Sequence, residues 1–481
     1  DEKYDENYDK NYDDDYDENS YVRDDENYND NYDENYDGHY DKSYDDKCVD
    51  DYDENNNGKF NGNIINEEKR YFQRSAVLGY LLSKDYSFSF NDKIEKDKQN
   101  FYLLECQNSL LDLFRVGNHT EFDFSKSILN KFDSSFVDNL RNKKFRILLS
   151  SISEPTSHID EFEKQLKLFL SEHDLSADCF LFIDSNRDIT ELNNKFGKTI
   201  FYYTPHFIYD GADAFLNITT SNEYQNDLNY ISEILTESEI KNIKDREYYF
   251  LSLNRSNWKL HRTILGCYLN KINNKNVLWS YLTKPSQKYK DGFDTLDYFD
   301  EWTEYQRNLV KNEIDNLESI IPKQLDTKKS NDLTSFKTTD TFSKELTSNS
   351  YFQIVTESPF LNNEIFFSEK IVKPIIMMQP FILISSHGML KNFRELGFKT
   401  FDGLFNEEYD LIENNFERLE FILNEIDRIL NLPKEEIEKL YKIYFDICIY
   451  NRNHLINNFS NKDSYGDILS SMVKNINNLI I

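Results

Sequence analysis

Tyr351-Phe-Gln-Ile-Val-Thr-Glu357, followed by Phe367-Ser-Glu-Lys-Ile-Val-Lys-Pro-Ile-Ile-Met-Met-Gln-Pro-Phe-Ile-Leu-Ile384, decides the fold class. Residues 351–356 form a short apolar run, which reads as a buried strand. Ser368 has the side chain of a helix cap, and Glu369 places an acid in the first turn. Residues 370–378 then read as a helix and 380–385 as a second buried strand. Strand, helix, strand with short continuous apolar strands is the signature of a parallel α/β sheet. As a tripeptide, Ser-Glu-Lys says only that a capped helix begins, a feature that stabilises by about 1 kcal/mol.

The same pattern extends upstream. Residues 248–253 are a strand, 254–259 a polar loop, 260–271 a helix and 277–281 a strand. A first unit precedes it, with strands at 143–150, 179–184 and 199–203 and an amphipathic helix at 158–172 carrying Ile159, Phe162, Leu166, Phe169 and Leu170 on one face. Residues 221–247 read as an acidic helix between the units. Residues 283–349 look like a polar surface insertion with one helix at 302–320. Helices follow at 390–396, 418–430 and 435–450, the last with Asn431 as cap and Pro433 in its first turn. Between 67 and 142 the pattern is mostly helical, Phe101, Leu104, Leu110, Leu111 and Phe114 keeping an approximate helical rhythm. The expected organisation is a tail at 1–63, a helical segment at 64–142, a first α/β lobe at 143–244, a second at 245–430 and C-terminal helices at 431–481.

Charge is unevenly spread over the 481 residues. The net charge is −31, and residues 1–54 carry 24 acidic against 5 basic side chains. That segment repeats Tyr-Asp every four residues, at Tyr4, Tyr8, Tyr12 and Tyr16 and again from Tyr28 to Tyr44. Asp and Asn are poor helix formers and like charges crowd every turn, so a solvated tail is expected, with self-association as a second role. The acidic balance argues against nucleic acid or an anionic membrane as partner. No run of about 18 apolar residues is present, so no membrane span is expected. Cys48, Cys106, Cys179, Cys267 and Cys448 are far apart and odd in number, which indicates neither a disulfide framework nor a zinc site. A reducing, cytoplasmic setting, a host cytoplasm or virion if the chain is viral, is the simplest expectation.

Two segments carry chemistry. In the first, Asn254 and Arg255 end a strand and His261 and Arg262 open a helix, whose N-terminus offers amide N–H groups to an anion such as a diphosphate. In the second, Ser368 caps, Glu369 suits two ribose hydroxyls, Lys370 suits a phosphate, and Lys373 lies one turn on along the same face. Ligands of open α/β sheets bind at the carboxyl ends of strands, so the loops at 150–157 and 184–187 are expected near a cleft.

Taken with Gln379-Pro380-Phe381, Gly388, Leu390, Arg394-Glu-Leu-Gly-Phe-Lys-Thr-Phe401 and Asn406-Glu-Glu-Tyr-Asp410, these segments resemble a group of uncharacterised proteins of phages and giant viruses. That group is similar, more distantly, to the GT-B α1,3-fucosyltransferases. The resemblance covers about 180 residues of the second lobe, and the first lobe only by pattern. It implies an α/β fold of two Rossmann-like, GT-B-like lobes and an inverting, metal-independent transfer from a nucleoside-diphosphate sugar, a GDP-sugar by analogy, to a glycan or protein acceptor. It implies ribose contact at Glu369, phosphate contact at Lys370, and a role for Arg255. Ser368 stands where the fucosyltransferases have Thr, and Thr356-Glu357 stands where they have a Glu-Asn pair. An inverting transfer needs a carboxylate to take the acceptor proton; Glu154 is the candidate, with His158 and Asp210 behind it. The alternative is a glycosyltransferase-fold protein without catalysis, serving as a structural part of a virion or fibril.

Overall fold

The computed structural model describes residues 134–151, 155–209, 211, 212, 215, 234–254, 259–282, 301–323, 325, 343–361 and 364–460, with the backbone of strands at 61–64, 87–90 and 99–105. They belong to one compact unit. The Tyr-Asp repeat, Glu154, Asp210 and Arg255 lie outside the described residues.

Two parallel sheets organise the chain. The first has six strands: β1 (Asn61–Ile64), β2 (Ser87–Phe90), β3 (Gln99–Glu105), β4 (Arg146–Ser151), β5 (Phe180–Asp184) and β6 (Phe201–Tyr203), in the order β2-β1-β3-β4-β5-β6. The second has four: β7 (Tyr248–Asn254), β8 (Val277–Tyr281), β9 (Ser350–Thr356) and β10 (Phe381–Ile384), in the order β10-β9-β7-β8. The chain is thus α/β, with two Rossmann-like lobes. The first sheet departs from expectation. The first sheet begins well before residue 143, and Gln99–Glu105, expected to be helical, pairs in parallel with β4, Phe101 opposite Arg146. In a run this short, apolar positions three apart fit one turn of helix and a doubly buried strand equally well.

The helices follow from burial. In the first lobe, α1 (Ser134–Arg141) precedes β4, and α2 (Ile159–Glu172) buries Phe162, Leu166, Phe169 and Leu170. The Phe162 ring meets Phe182 of β5 edge-on at 5.5 Å. A short α3 (Leu192–Phe196) leads to β6. Of the acidic bridge, α4 (Glu237–Asn242) is the described helix; it opens with a capping box between Thr236 and Glu239, and Ile243 ends it. In the second lobe, α5 (Leu260–Ile272) is buried on nearly every side, so it lacks a strong polar face. It is covered by α6 (Glu304–Ser319), whose Leu309, Val310, Ile314 and Leu317 are buried. This corrects the reading of a surface helix: α6 belongs to the core, and Trp302 ahead of it stacks on Phe416. Gly266 permits the approach, because a Cβ there would lie 3.0 Å from both Leu317 and Tyr281.

After β9 come α8 (Glu369–Ile376), β10 and α9 (Met389–Glu395), with a short α7 (Lys344–Ser348) before β9. Two long helices close the fold, α10 (Asn415–Leu430) and α11 (Lys434–Phe459). Asn431 is the last residue of the α10 turn, and the cap position of α11 falls on Pro433. Pro433 has a φ of −66° that suits a helix, but its ψ of 150° is extended, so the first helical residue is Lys434.

One buried carboxylate ties the first sheet's amino end together. Asp178 is only 2% exposed in its side chain and takes Lys143 at 2.8 Å and Lys198 at 3.1 Å on Oδ2. The Arg146 Nε–H donates to its backbone carbonyl at 3.0 Å. Burial pushes the Asp178 carboxyl up, but hydrogen bonds from Lys143, Ser176 and Lys198 outweigh it and hold the group well below 3.8. The charged form is therefore worth stability that is present above the unfolded-state value and lost as pH falls through the folded one. Asp178→Asn is expected to lower unfolding free energy at pH 7 by ~1–2 kcal/mol, less than a fully buried pair because both lysines are a third or more exposed. Urea denaturation should show a constant gap from pH 7 to about 4 that narrows below it.

Candidate functional site

The strand order sets where a ligand fits. From β7 the chain runs outward to β8, then returns across the sheet to β9 and continues outward to β10. Neighbouring β7 and β9 therefore send their connections in opposite directions, and a crevice opens at their carboxyl ends. Asn254 ends β7 and Thr356 ends β9. The Thr356 hydroxyl donates to Asn254 Oδ1 at 2.6 Å across this switch point. Asn254 is held further by its N–H to Ser280 Oγ at 3.2 Å and its amide to Ser252 Oγ at 3.2 Å.

Two helices start here. The N-cap position of α5, Lys259, makes no side-chain cap hydrogen bond, and the positive end of this 13-residue helix lies at the switch point. His261 and Arg262, in its first turn, are both buried. Arg262 Nη2 donates to the Thr356 carbonyl at 3.4 Å. His261 Nε2 lies 2.9 Å from the Glu357 carbonyl, which can only accept, so this nitrogen carries the proton. Burial, with Arg262 beside it, drives the ring well below the usual histidine range, so it is neutral. Its face stacks on Phe360 at 4.6 Å.

The other helix is α8, and its start is built on Glu357. This carboxylate is fully buried one residue after β9. Oε1 accepts the Ser368 N–H at 3.1 Å and Oε2 accepts the Ser368 hydroxyl. The Ser368 Oγ in turn accepts the Lys370 N–H at 3.2 Å, capping the helix, and the Lys370 ammonium at 3.2 Å. The hydroxyl thus uses its one donor and both acceptor sites. Burial pushes the Glu357 carboxyl up despite Lys370 and Ser368. Lys370 Nζ pairs with Glu369 Oε1 at 2.7 Å, with side chains 30% and 13% exposed. Burial pushes Glu369 up, but Lys370 and then Lys373 hold it below 4.5, ionised.

Asn254, Arg262, Ser368, Glu369 and Lys370 therefore lie in one connected cluster, and Lys373 stands one turn behind, within electrostatic reach of Glu369. His158 occupies the cap position of α2 with a left-handed φ of 56°. Sequence reasoning missed two members. In the sequence Glu357 stands out only as a departure from a motif, although an acid just after a buried strand and eleven residues before a Ser cap is a usable signal. His261 was noted only as part of its segment. Among the other helix starts, α9 is already filled: Asp410 accepts the N–H groups of Leu390 and Lys391, both at 2.9 Å.

No protein-family profile matches the chain. No curated protein matches it either. Solved structures with a similar course include an α1,3-fucosyltransferase, with 8% identity, 83% of this chain and 95% of that chain covered, and a TM-score of 0.34. A glycosyltransferase from Rickettsia africae ESF-5 has 11% identity, covers 86% and 99%, and scores 0.28. A trehalose-6-phosphate synthase studied with bisubstrate glycomimetics has 13% identity, covers 76% and 74%, and scores 0.30. At these values the likenesses add nothing to what the strand order establishes.

Ser368→Ala removes the cap and leaves Glu357 Oε2 buried without its donor. It is expected to lower stability by ~1–2 kcal/mol, whereas Ser368→Thr, which keeps the hydroxyl, should stay within ~0.5 kcal/mol of the parent. Chemical denaturation of the three proteins side by side decides it.

Proposed function

We propose that this chain is a metal-independent, GT-B-like glycosyltransferase that holds a nucleoside-diphosphate sugar at the β7–β9 switch point and passes the sugar to a glycan or protein acceptor. The supporting observation is the Lys370–Glu369 pair, presented at the capped start of α8 beside the side-chain-uncapped start of α5. Lysine offers three donors and a compact charge, which matches phosphate oxygens. An ionised glutamate offers only acceptors, which matches the two hydroxyls of a ribose. The dipole ends of two helices add positive potential where the diphosphate leaving group gains charge. In this proposal Arg255, in the loop between Asn254 and α5, reaches the diphosphate, Asn254 and Arg262 hold the crevice floor, and Lys373 adds charge behind Lys370. A carboxylate of the first lobe, Glu154, takes the acceptor proton as the sugar inverts. The sequence resemblance points to GDP as the nucleotide.

Thermal unfolding with GDP, UDP or CMP at about 1 mM tests the donor site, because a ligand of the native state raises Tm by mass action. One nucleoside diphosphate is expected to raise Tm by roughly 2–8 °C. Lys370→Ala and Glu369→Ala should each weaken that nucleotide's binding about 10- to 100-fold, the range for losing one charge-assisted contact. No response from the parent protein to any of the three would sink the proposal. An unchanged response in both variants, with assembly lost on deletion of residues 1–63, would move the assignment to a non-catalytic structural protein.

A further inference from the structure

We infer that Arg187 is an electrostatic latch that holds the first lobe against the strap carrying Ser368. Arg187 follows β5 and reaches the second lobe in three ways. Its backbone N–H donates to the Ile365 carbonyl at 3.2 Å. Its guanidinium donates to Asn392 Oδ1 and pairs with Glu395, both on α9. Asn392 is itself anchored, its amide donating to the Gly388 carbonyl at 2.9 Å. Ile365 belongs to the irregular stretch 364–368 that delivers Ser368 to the start of α8.

Neighbouring contacts of the first lobe land on the same strap and on α8. Phe207, after β6, meets Phe366 edge-on at 5.6 Å. Gly211 lies so close to α8 that a Cβ there would sit 2.3 Å from a Val372 methyl. The first lobe therefore touches the segment that positions Ser368 and Lys370, and the guanidinium adds a charged contact on α9, whose Phe393 packs on Phe367 of the strap at 5.9 Å. The strength of the charged contact suits reversibility. The Arg187 and Glu395 side chains are 38% and 41% exposed, so water and salt screen the pair, and such a pair biases an equilibrium only a few-fold. The apolar contacts set the closed position, and the ion pair adjusts how often it is occupied.

The residue-187 amide reports the latch directly, because its hydrogen bond crosses between lobes. Hydrogen exchange on the full chain without nucleotide keeps this test separate from the function proposed above. In Arg187→Ala the residue-187 amide is expected to exchange about 3- to 5-fold faster than in the parent, while core amides such as those of Phe182 and Leu251 keep their rates. Raising salt from about 0.05 to 0.5 M should produce the same selective loss in the parent and little further loss in the variant. Arg187→Lys, which keeps the charge facing Glu395, should restore protection to within about two-fold. Unchanged protection in Arg187→Ala overturns the latch. So does an equal rise at the core amides, which marks general destabilisation, or a parent protein indifferent to salt.

Discussion

The Glu357 carboxylate is the constraint around which the second lobe is arranged. A carboxylate stripped of water is costly unless every lone pair that matters finds a donor. Here the donors are the Ser368 N–H and hydroxyl, which pull the end of a ten-residue excursion back to the end of β9. That return fixes where α8 begins and therefore where Glu369 and Lys370 stand. The carbonyl of the same residue receives the His261 ring, so α5 is referenced to it as well. One residue thus joins a strand and two helix starts. Its raised pKa marks the tension in the arrangement: burial favours the neutral form, while the nearby ammonium favours the charged one.

Other buried charges serve the scaffold, which is why charge alone does not locate a site. Arg246 is buried near the amino ends of β7 and β9, where it donates to the carbonyls of Thr347 and Ser350, both at 2.7 Å, and to the Tyr441 hydroxyl at 2.9 Å. Arg418 gathers the carbonyls of Ser385 at 3.0 Å and Ile412 at 2.7 Å. Both guanidiniums use a fixed fork of donors to satisfy backbone carbonyls, at the end of α7 and the start of β9 for Arg246 and after β10 and before α10 for Arg418. Asp410 does the reciprocal job at α9. With these ends filled, α5 and α8 are the starts that converge at the switch point.

Legibility in the sequence followed physical specificity. β7, β8, β9 and β10 are short apolar runs between polar turns, and their limits were readable to within a residue or two. The start of α8 was readable because Ser368 is a true cap, with Lys370 N–H on its oxygen. The role of Gln379 was not legible from its motif; its amide donates to the Ser350 carbonyl and hydroxyl, at 3.1 and 2.8 Å, docking the end of α8 onto β9. What failed was non-local. Nothing in Gln99–Glu105 says that β4 lies beside it, and nothing polar about α6 reveals that its apolar stripe covers α5. The Asn254–Thr356 bond joins residues 102 apart, a distance no spacing rule spans.

The ion pair between Glu369 and Lys370 holds in place the two side chains on which the proposed function rests. In water such a neighbouring pair is nearly worthless, but at 13% and 30% exposure it is partly shielded and holds both side chains in place. A diphosphate entering the crevice offers Lys370 more negative charge than one carboxylate does. The lysine can then turn its remaining donors to phosphate while Ser368 Oγ keeps its hold at 3.2 Å. Glu369, released from part of its partner's charge, faces a choice between protonation and new donors. Under the proposed function two ribose hydroxyls supply the donors, and the charge of Lys373 continues to favour the ionised form. Under the proposed function the pair is thus exchanged for two matched contacts rather than broken. On that proposal, acid and base stand next to each other at the start of one helix because each is matched to a different part of the same ligand.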